Sequence, residues 1–248
     1  MDSLESFKKA VATHLEDHPI VRMNPYTSWF ARGEASFEEL RHFAVQFSVF
    51  SHLFIEAQLR KCINARDLAS YRAGKEILMN ELGVTFAPSG SVDQGTFRFH
   101  AAHFEWLAAF AGHFGLEFHE IGKRELGTPP TLAFCDALMS WYASRDTSES
   151  TGASHAIENW AAAGFWKQLI SGLRRVKGQR MPDLPLGFWV WHDQLEEQHA
   201  THTHDELTTV FAQPGFDGEK FLRAGTAVLD AVEIFWEGLS RDRRSRAA

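Results

Sequence analysis

The sequence predicts an all-α protein, and three observations carry that prediction. Apolar residues recur at helical spacing along most of the chain, strict apolar–polar alternation persists nowhere, and cap residues punctuate the periodic stretches. Ser36-Phe-Glu-Glu39 is a capping box, and the helix it opens carries the apolar stripe Leu40, Phe43, Phe47, Phe50 and Phe54. Asp67 opens another helix that ends at Leu82-Gly83, with glycine in the C-terminal capping place. Val84 to Thr96, which holds Pro88, Ser89, Gly90 and Gly95, reads as a loop. Helix is expected again from Phe97 to Phe114, closed by Gly115, and then from Pro129-Pro130, from Ser154 to Val176, from Leu184 to Val210 and from Gly218 to Arg241. The pattern amounts to about seven or eight helices without internal repeat, too many for a four-helix bundle and suited to a compact α-domain with a central cavity.

Bulk properties narrow the function classes. A chain of 248 residues, 44% of them hydrophobic, can bury a sizeable core, and no Pro/Gly/Ser linker divides it, so residues 1–248 read as a single domain. The net charge of −7 and the scatter of lysine and arginine argue against a nucleic-acid surface and leave a small molecule as the expected partner. Cys62 and Cys135 lie in apolar helical segments and form no CxxC motif, as expected of a reduced, cytoplasmic protein. The first residues include acids and no long apolar run, so neither a signal peptide nor a membrane anchor is expected. The basic tail from Arg241 reads as a solvated, frayed helix end.

The most informative stretch is Phe188-Trp-Val-Trp-His192-Asp-Gln-Leu-Glu196-Glu-Gln-His199. His192, Glu196 and His199 stand at i, i+4 and i+7, on one narrow stripe of a helix rich in tryptophan. Imidazole and carboxylate together suit iron, zinc or manganese, and packing alone gives no reason for a carboxylate between two histidines. The competing reading is a solvated face that continues into Glu197, His202, His204 and Asp205.

Further ligands would come from facing helices, and four residues stand out. Glu81 sits at a helix C-terminus, where the macrodipole disfavours an anion unless a cation offsets it; otherwise it is an exposed residue at a frayed end. His103 shares an apolar face with Phe99, Trp106, Leu107 and Phe110, as a ligand or as a core histidine bonded to a carbonyl, and His100 competes with it. Glu158, in a helix of small residues, needs a partner inside the protein, unless it pairs with His155 at i−3. Glu56 shares a face with Val49 and His52, yet Arg60 at i+4 could make it an ordinary surface ion pair. Glu56, Glu81, Glu158 and Glu196 would bring four negative charges into one cavity, which two divalent ions would neutralise and one would not.

The ordered pattern Glu81, His103, Glu158 and then His192-x3-Glu196-x2-His199 resembles the heme-oxygenase-like diiron oxidases and oxygenases. Asn80-Glu81-Leu82-Gly83 is similar to that family's early glutamate segment, and the helix after His103 ends in Ala-Gly-His-Phe-Gly115 much as the family's histidine helix closes. The resemblance covers most of the chain, from Glu56 to His199. Members that oxygenate nitrogen carry an extra carboxylate about seven helical turns before the early glutamate, where Glu56 stands. Glu196 departs from the usual aspartate, and the stretch between Glu81 and His103 is longer than usual, which keeps His100 open. Ferritin-like diiron proteins, which need two separate Glu-x-x-His motifs from paired helices, match the ordered ligand pattern less well. Thiaminase-like relatives of the same fold use a cysteine nucleophile, whereas Cys135 reads as inert packing.

The resemblance implies a heme-oxygenase-like helical domain, commonly dimeric, that binds two irons cycling between Fe2+ and Fe3+ and activates O2. Its implied metal ligands are Glu56, Glu81, His103, Glu158, His192, Glu196 and His199. The leading expectation is N-oxygenation of an amine to a hydroxylamine or nitro product. An external electron donor, such as a ferredoxin or another reductase, is expected because no flavin or nicotinamide fingerprint is present. The alternatives are oxidative C–C cleavage or decarboxylation of an amino or fatty acid, and a metal-free binding or cofactor-maturation protein on the same fold.

Overall fold

Helix starts follow the caps. In the computed structural model, which describes residues 3–85, 87, 91–199 and 203–246 and omits the side chains of 195–199, 203–206 and 246, Ser36 and Glu39 exchange the two hydrogen bonds of a capping box. Pro25 and Pro129 stand in the first helical position of their helices, where the missing N–H costs nothing. The side chains of Asp67 and Asp146 accept from backbone N–H groups at the starts of two more.

The described residues form α1 (Leu4–Val11), α2 (Pro19–Arg22), α3 (Pro25–Phe30), α4 (Phe37–Asn64), α5 (Leu68–Glu81), α6 (His103–Gly112), α7 (Pro129–Ala137), α8 (Thr147–Ala162), α9 (Phe165–Gln179), α10 (Gly187–His199), α11 (Thr203–Phe211) and α12 (Gly218–Arg246). Extended pairing among them is limited to one bridge, between Val84 and Phe97. The helices outnumber the expected seven or eight for two reasons. The short N-terminal helices α1 to α3 lie before the first strong periodic stripe, and one expected long helix is broken. The segment Ser154 to Val176 turns at Gly164, whose φ of +87° only glycine adopts without strain, into α8 and α9. Within Leu184 to Val210 the described residues form α10 and α11, and residues 200–202 lie outside them. Helix also begins at His103 rather than Phe97, after a single 3-10 turn, and α12 continues to Arg246, past the expected end at Arg241. Pro88, Ser89 and Gly90 of the expected loop lie outside the described residues.

The core is aromatic. Phe43 and Phe47 of α4 meet Trp189 of α10, and Phe47 also reaches Trp236 of α12, with ring centres 4.9 to 6.4 Å apart. α12 lies along α8 so closely that a Cβ on Gly152 would stand 2.1 Å from the Phe221 carbonyl oxygen. Three amide side chains of α4 tie down other segments. Gln46 donates to Leu126 O and accepts from Thr128 N and Thr131 Oγ1; Gln58 donates to Gly74 O of α5 and accepts from the Tyr142 hydroxyl; Asn64 donates to Ala143 O. Each bond satisfies a backbone or hydroxyl group that no regular ladder serves there. None of the described helices is long and apolar enough to cross a membrane.

Candidate metal centre and cavity

Three helix ends deliver three potential ligands to one place. Glu81 is the last residue of α5, His103 the first of α6, and His192 lies in the second turn of α10. The long connection between the first two closes on itself at its base. Arg98 N–H donates to Gly83 O, and Gly83, at φ +102°, sits where a Cβ would meet Arg98 O at 2.6 Å. Val84 N–H donates to Met79 O and Asn80 Nδ2 to Val84 O, which fixes the end of the Glu81 helix. The contact of Arg98 with Gly83 thus brings the two ends of the connection together and leaves Glu81 and His103 adjacent.

His103 Nδ1 stands 3.1 Å from Glu81 Oε2, and His192 Nε2 stands 3.8 Å from Glu81 Oε1. One ligand atom from each of the three residues lies within 4.8 Å of the others. The side chains are almost sealed from water, at 12%, 2% and 13% exposure for Glu81, His103 and His192. Despite its short distance, His103 Nδ1 lacks hydrogen-bond alignment with the carboxylate and has no hydrogen-bond partner. A buried, unmatched nitrogen beside a carboxylate oxygen is what a cation between them would resolve. His192 Nδ1 donates to the Phe188 carbonyl at 2.7 Å, which leaves Nε2 with its lone pair toward Glu81. Burial alone would raise the Glu81 carboxyl; the two imidazoles, when cationic, outweigh it and hold that carboxyl well below the usual carboxylate range. The donor set of two nitrogens and a bidentate-capable carboxylate fits iron, manganese or zinc.

Glu81 and His192 edge a cavity of about 120 Å³. Its walls include Phe47, Phe50 and Phe54 of α4, Trp160 of α8, Trp166 of α9 and Phe188 of α10. Trp166 stacks on the His192 ring, and Trp106 stacks on His103, so both imidazoles are held by flat aromatic faces. The indole N–H groups of Trp160 and Trp166 have no hydrogen-bond partner.

Glu158 lines the same cavity as Glu81 and His192. Its Oε1 accepts from Ser154 Oγ at 3.3 Å, and Ser154 Oγ accepts from Lys61 Nζ at 2.5 Å. Burial raises the Glu158 carboxyl above its ordinary range, against the opposing effects of Lys61 and Ser154. Lys61 Nζ also stands 4.4 Å over the ring of Tyr142, another lining residue. Lys61, Ser154 and Tyr142 were not among the residues singled out from the sequence. Ser154 stands four residues before Glu158 and could have been found as an i−4 donor, whereas Lys61 reads as one more charge beside Arg60.

The structure does not bring Glu56 to this group. Its side chain is exposed on α4, with Oε1 4.0 Å from Arg60 Nη2, the i+4 ion pair that its spacing allows. His100 is exposed and pairs with Glu105 at 3.2 Å, so His103 is the histidine set against Glu81. His155 does not pair with Glu158. It faces Phe221 of α12, its Nε2 has no partner, and burial lowers its pKa to about 4. Glu196 and His199 fall inside α10, so their helical spacing from His192 holds, and their side chains lie outside the described residues. Cys135 is buried and its thiol is pushed up to about 12, in keeping with packing. A second group among the described residues, His18, Asp230 and Glu233, is a poor metal site. His18 Nδ1 accepts from Ile20 N–H, so the proton sits on Nε2 and is donated to Asp230.

Comparison with protein-family models finds no match, and neither does comparison with curated proteins. Solved structures do match over the whole length. A domain of unknown function with a heme oxygenase-like fold from Shewanella denitrificans aligns with a TM-score of 0.63 at 14% identity, covering 100% of this chain and 96% of that one. A CADD-like protein of unknown function from Nostoc punctiforme aligns at 0.66 and 17% identity, covering 97% and 98%. A TenA homolog from Pseudomonas syringae pv. tomato aligns at 0.51 and 12% identity, covering 96% and 91%. The chain has the heme oxygenase-like fold.

Proposed function

We propose that this protein is a non-heme diiron oxygenase that oxidises a small amine, most simply by N-oxygenation. The carrying observation is the convergence of Glu81, His103 and His192 beside an aromatic cavity that Glu81 and His192 line, with a buried imidazole nitrogen of His103 that has no hydrogen-bond partner. In this reading Glu81, His103 and His192 hold one iron, and Glu158, Glu196 and His199 complete the set for a second. The iron pair, once reduced by an external donor such as a ferredoxin or another reductase, would supply activation of O2.

The chain's own residues provide the rest. The Phe188 carbonyl fixes the His192 tautomer and keeps Nε2 available. Trp166 and Trp106 clamp the two imidazole planes. Aromatic walls exclude water from the reacting space and leave few side reactions open to it. Lys61, through Ser154, restrains the Glu158 carboxylate at the cavity edge. The described lining contains neither arginine nor lysine to pair with the carboxylate of an amino or fatty acid, which favours an amine over decarboxylation or C–C cleavage.

Anaerobic loading with ferrous iron, followed by an O2 pulse in the presence of an amine panel, tests this reading. The expected result is about two irons per chain, an O2-dependent visible band and a product heavier by oxygen. Fewer than about one iron per chain with no such band would instead support the metal-free binding reading.

A further inference from the structure

The size and lining of the cavity narrow the ligand further. At about 120 Å³ the cavity is smaller than an engineered apolar cavity of about 150 Å³ that holds a single benzene, so one small ring or a compact aliphatic group is its upper bound and a long chain is excluded. The wall presents ring faces from several directions. Phe50 and Trp160 stand 6.2 Å apart, and Phe47 and Trp166 5.9 Å apart, centre to centre. Aromatic faces around a space of this size attract cations. The polar groups at its edge include two carboxylates, Glu81 and Glu158, and among the described residues neither lysine nor arginine. Lys61 is engaged with Ser154, which in turn donates to Glu158.

We infer that the cavity is a binding site for a compact, carboxylate-free primary amine of about one ring, its nitrogen directed to Glu158 and its body held among Phe50, Phe54, Trp160 and Trp166. This deepens the oxygenase reading, on which it rests for its purpose although not for its binding. The amine enters as an ammonium. Its charge meets ring faces and the Glu158 carboxylate, which lines the same cavity.

The test is calorimetric titration of the full chain, stripped of metal with a chelator, against benzylamine, benzoate, lysine and decylamine. Benzylamine is expected to bind about tenfold or more tighter than each of the others, a difference of about 1.4 kcal/mol. Ala161 lies in the wall and is buried, so Ala161→Leu narrows the space; this variant should keep its helical circular dichroism and lose benzylamine binding about tenfold or more. Should that variant fail to fold, Phe54→Trp narrows the same space from a half-buried position and carries the same expectation.

Tighter binding of benzoate, whose carboxylate the free indole N–H groups of Trp160 and Trp166 would attract, overturns the inference. So does preference for lysine or decylamine, no binding of benzylamine, or unchanged affinity in a folded, narrowed variant. None of these measurements needs turnover. Amine binding without oxygen-dependent product from the iron-loaded chain would count against the oxygenase reading and leave the amine site standing.

Discussion

The indole of Trp166 lies flat against the imidazole of His192, with ring centres 4.8 Å apart and planes inclined by 22°. Any ion bound at His192 Nε2 therefore sits beside a fluorophore. Anaerobic titration with ferrous iron should quench tryptophan emission in step with binding. His192→Ala should weaken binding by roughly 100-fold or more, since loss even of a supporting residue around a metal costs 10–100-fold. His100→Ala and Glu56→Ala should titrate like the parent, because both side chains are exposed and paired elsewhere. Equal loss in all three would remove the Glu81–His103–His192 group as the site.

Glu158 gives opposite effects on stability and metal binding. Its folded pKa is raised by burial, so its contribution to stability is fully present below the unfolded value of 4.5 and is lost as pH rises through the folded value. At neutral pH the metal-free chain carries that cost. Glu158→Gln should raise the urea midpoint at pH 7.5 and reduce the amount of iron bound per chain. A lower midpoint would show that Lys61 and Ser154 compensate the carboxylate fully.

His155 gives a separate pH signature. Burial lowers its pKa from 6.5 to about 4, so the unfolded chain takes up its proton first as the solution is acidified. Its contribution is fully present above pH 6.5 and is lost as pH falls toward 4, to a total of about 3 kcal/mol. Urea unfolding at intervals from pH 7 to pH 4.5 should show this slope in the parent. His155→Leu should flatten it, at little cost at pH 7, because the buried Nε2 has no partner to lose.

Gly152 lies at the closest approach of α8 to α12. A methyl group there meets the backbone of Phe221 rather than a movable side chain. Gly152→Ala should destabilise the chain by about 1–3 kcal/mol or more, despite alanine's better helix propensity. A midpoint equal to the parent's would mean that the two helices separate freely.

Short-range chemistry was legible in the sequence, and long-range compensation was not. The Ser36–Glu39 box, the Asp67 cap and the glycine after Glu81 are local devices and lie where the pattern put them. The bend at Gly164 was hidden because apolar periodicity runs on through the alanines before it, so a continuous helix scored as well as two. Glu56 satisfied two local rules at once, a shared face with His52 and an i+4 arginine, and only the fold decides between them. His103 and His100 are separated by the placement of Arg98 on Gly83, a contact between residues far apart in sequence. The tie from Lys61 to Ser154 spans 93 residues and has no local signature.

The amide clamps on α4 have a consequence for how this chain tolerates change in length. Gln46, Gln58 and Asn64 each reach a different segment from one continuous rod, and each added or deleted residue turns everything beyond it by about 100°. An insertion between Gln46 and Gln58 would swing two clamps away from Gly74, Tyr142 and Ala143 at once. The count of residues along this helix is thus fixed to the unit, while the connection between Gly83 and Arg98, whose ends are held by the bond from Arg98 N–H to Gly83 O, tolerates added length at little entropic cost.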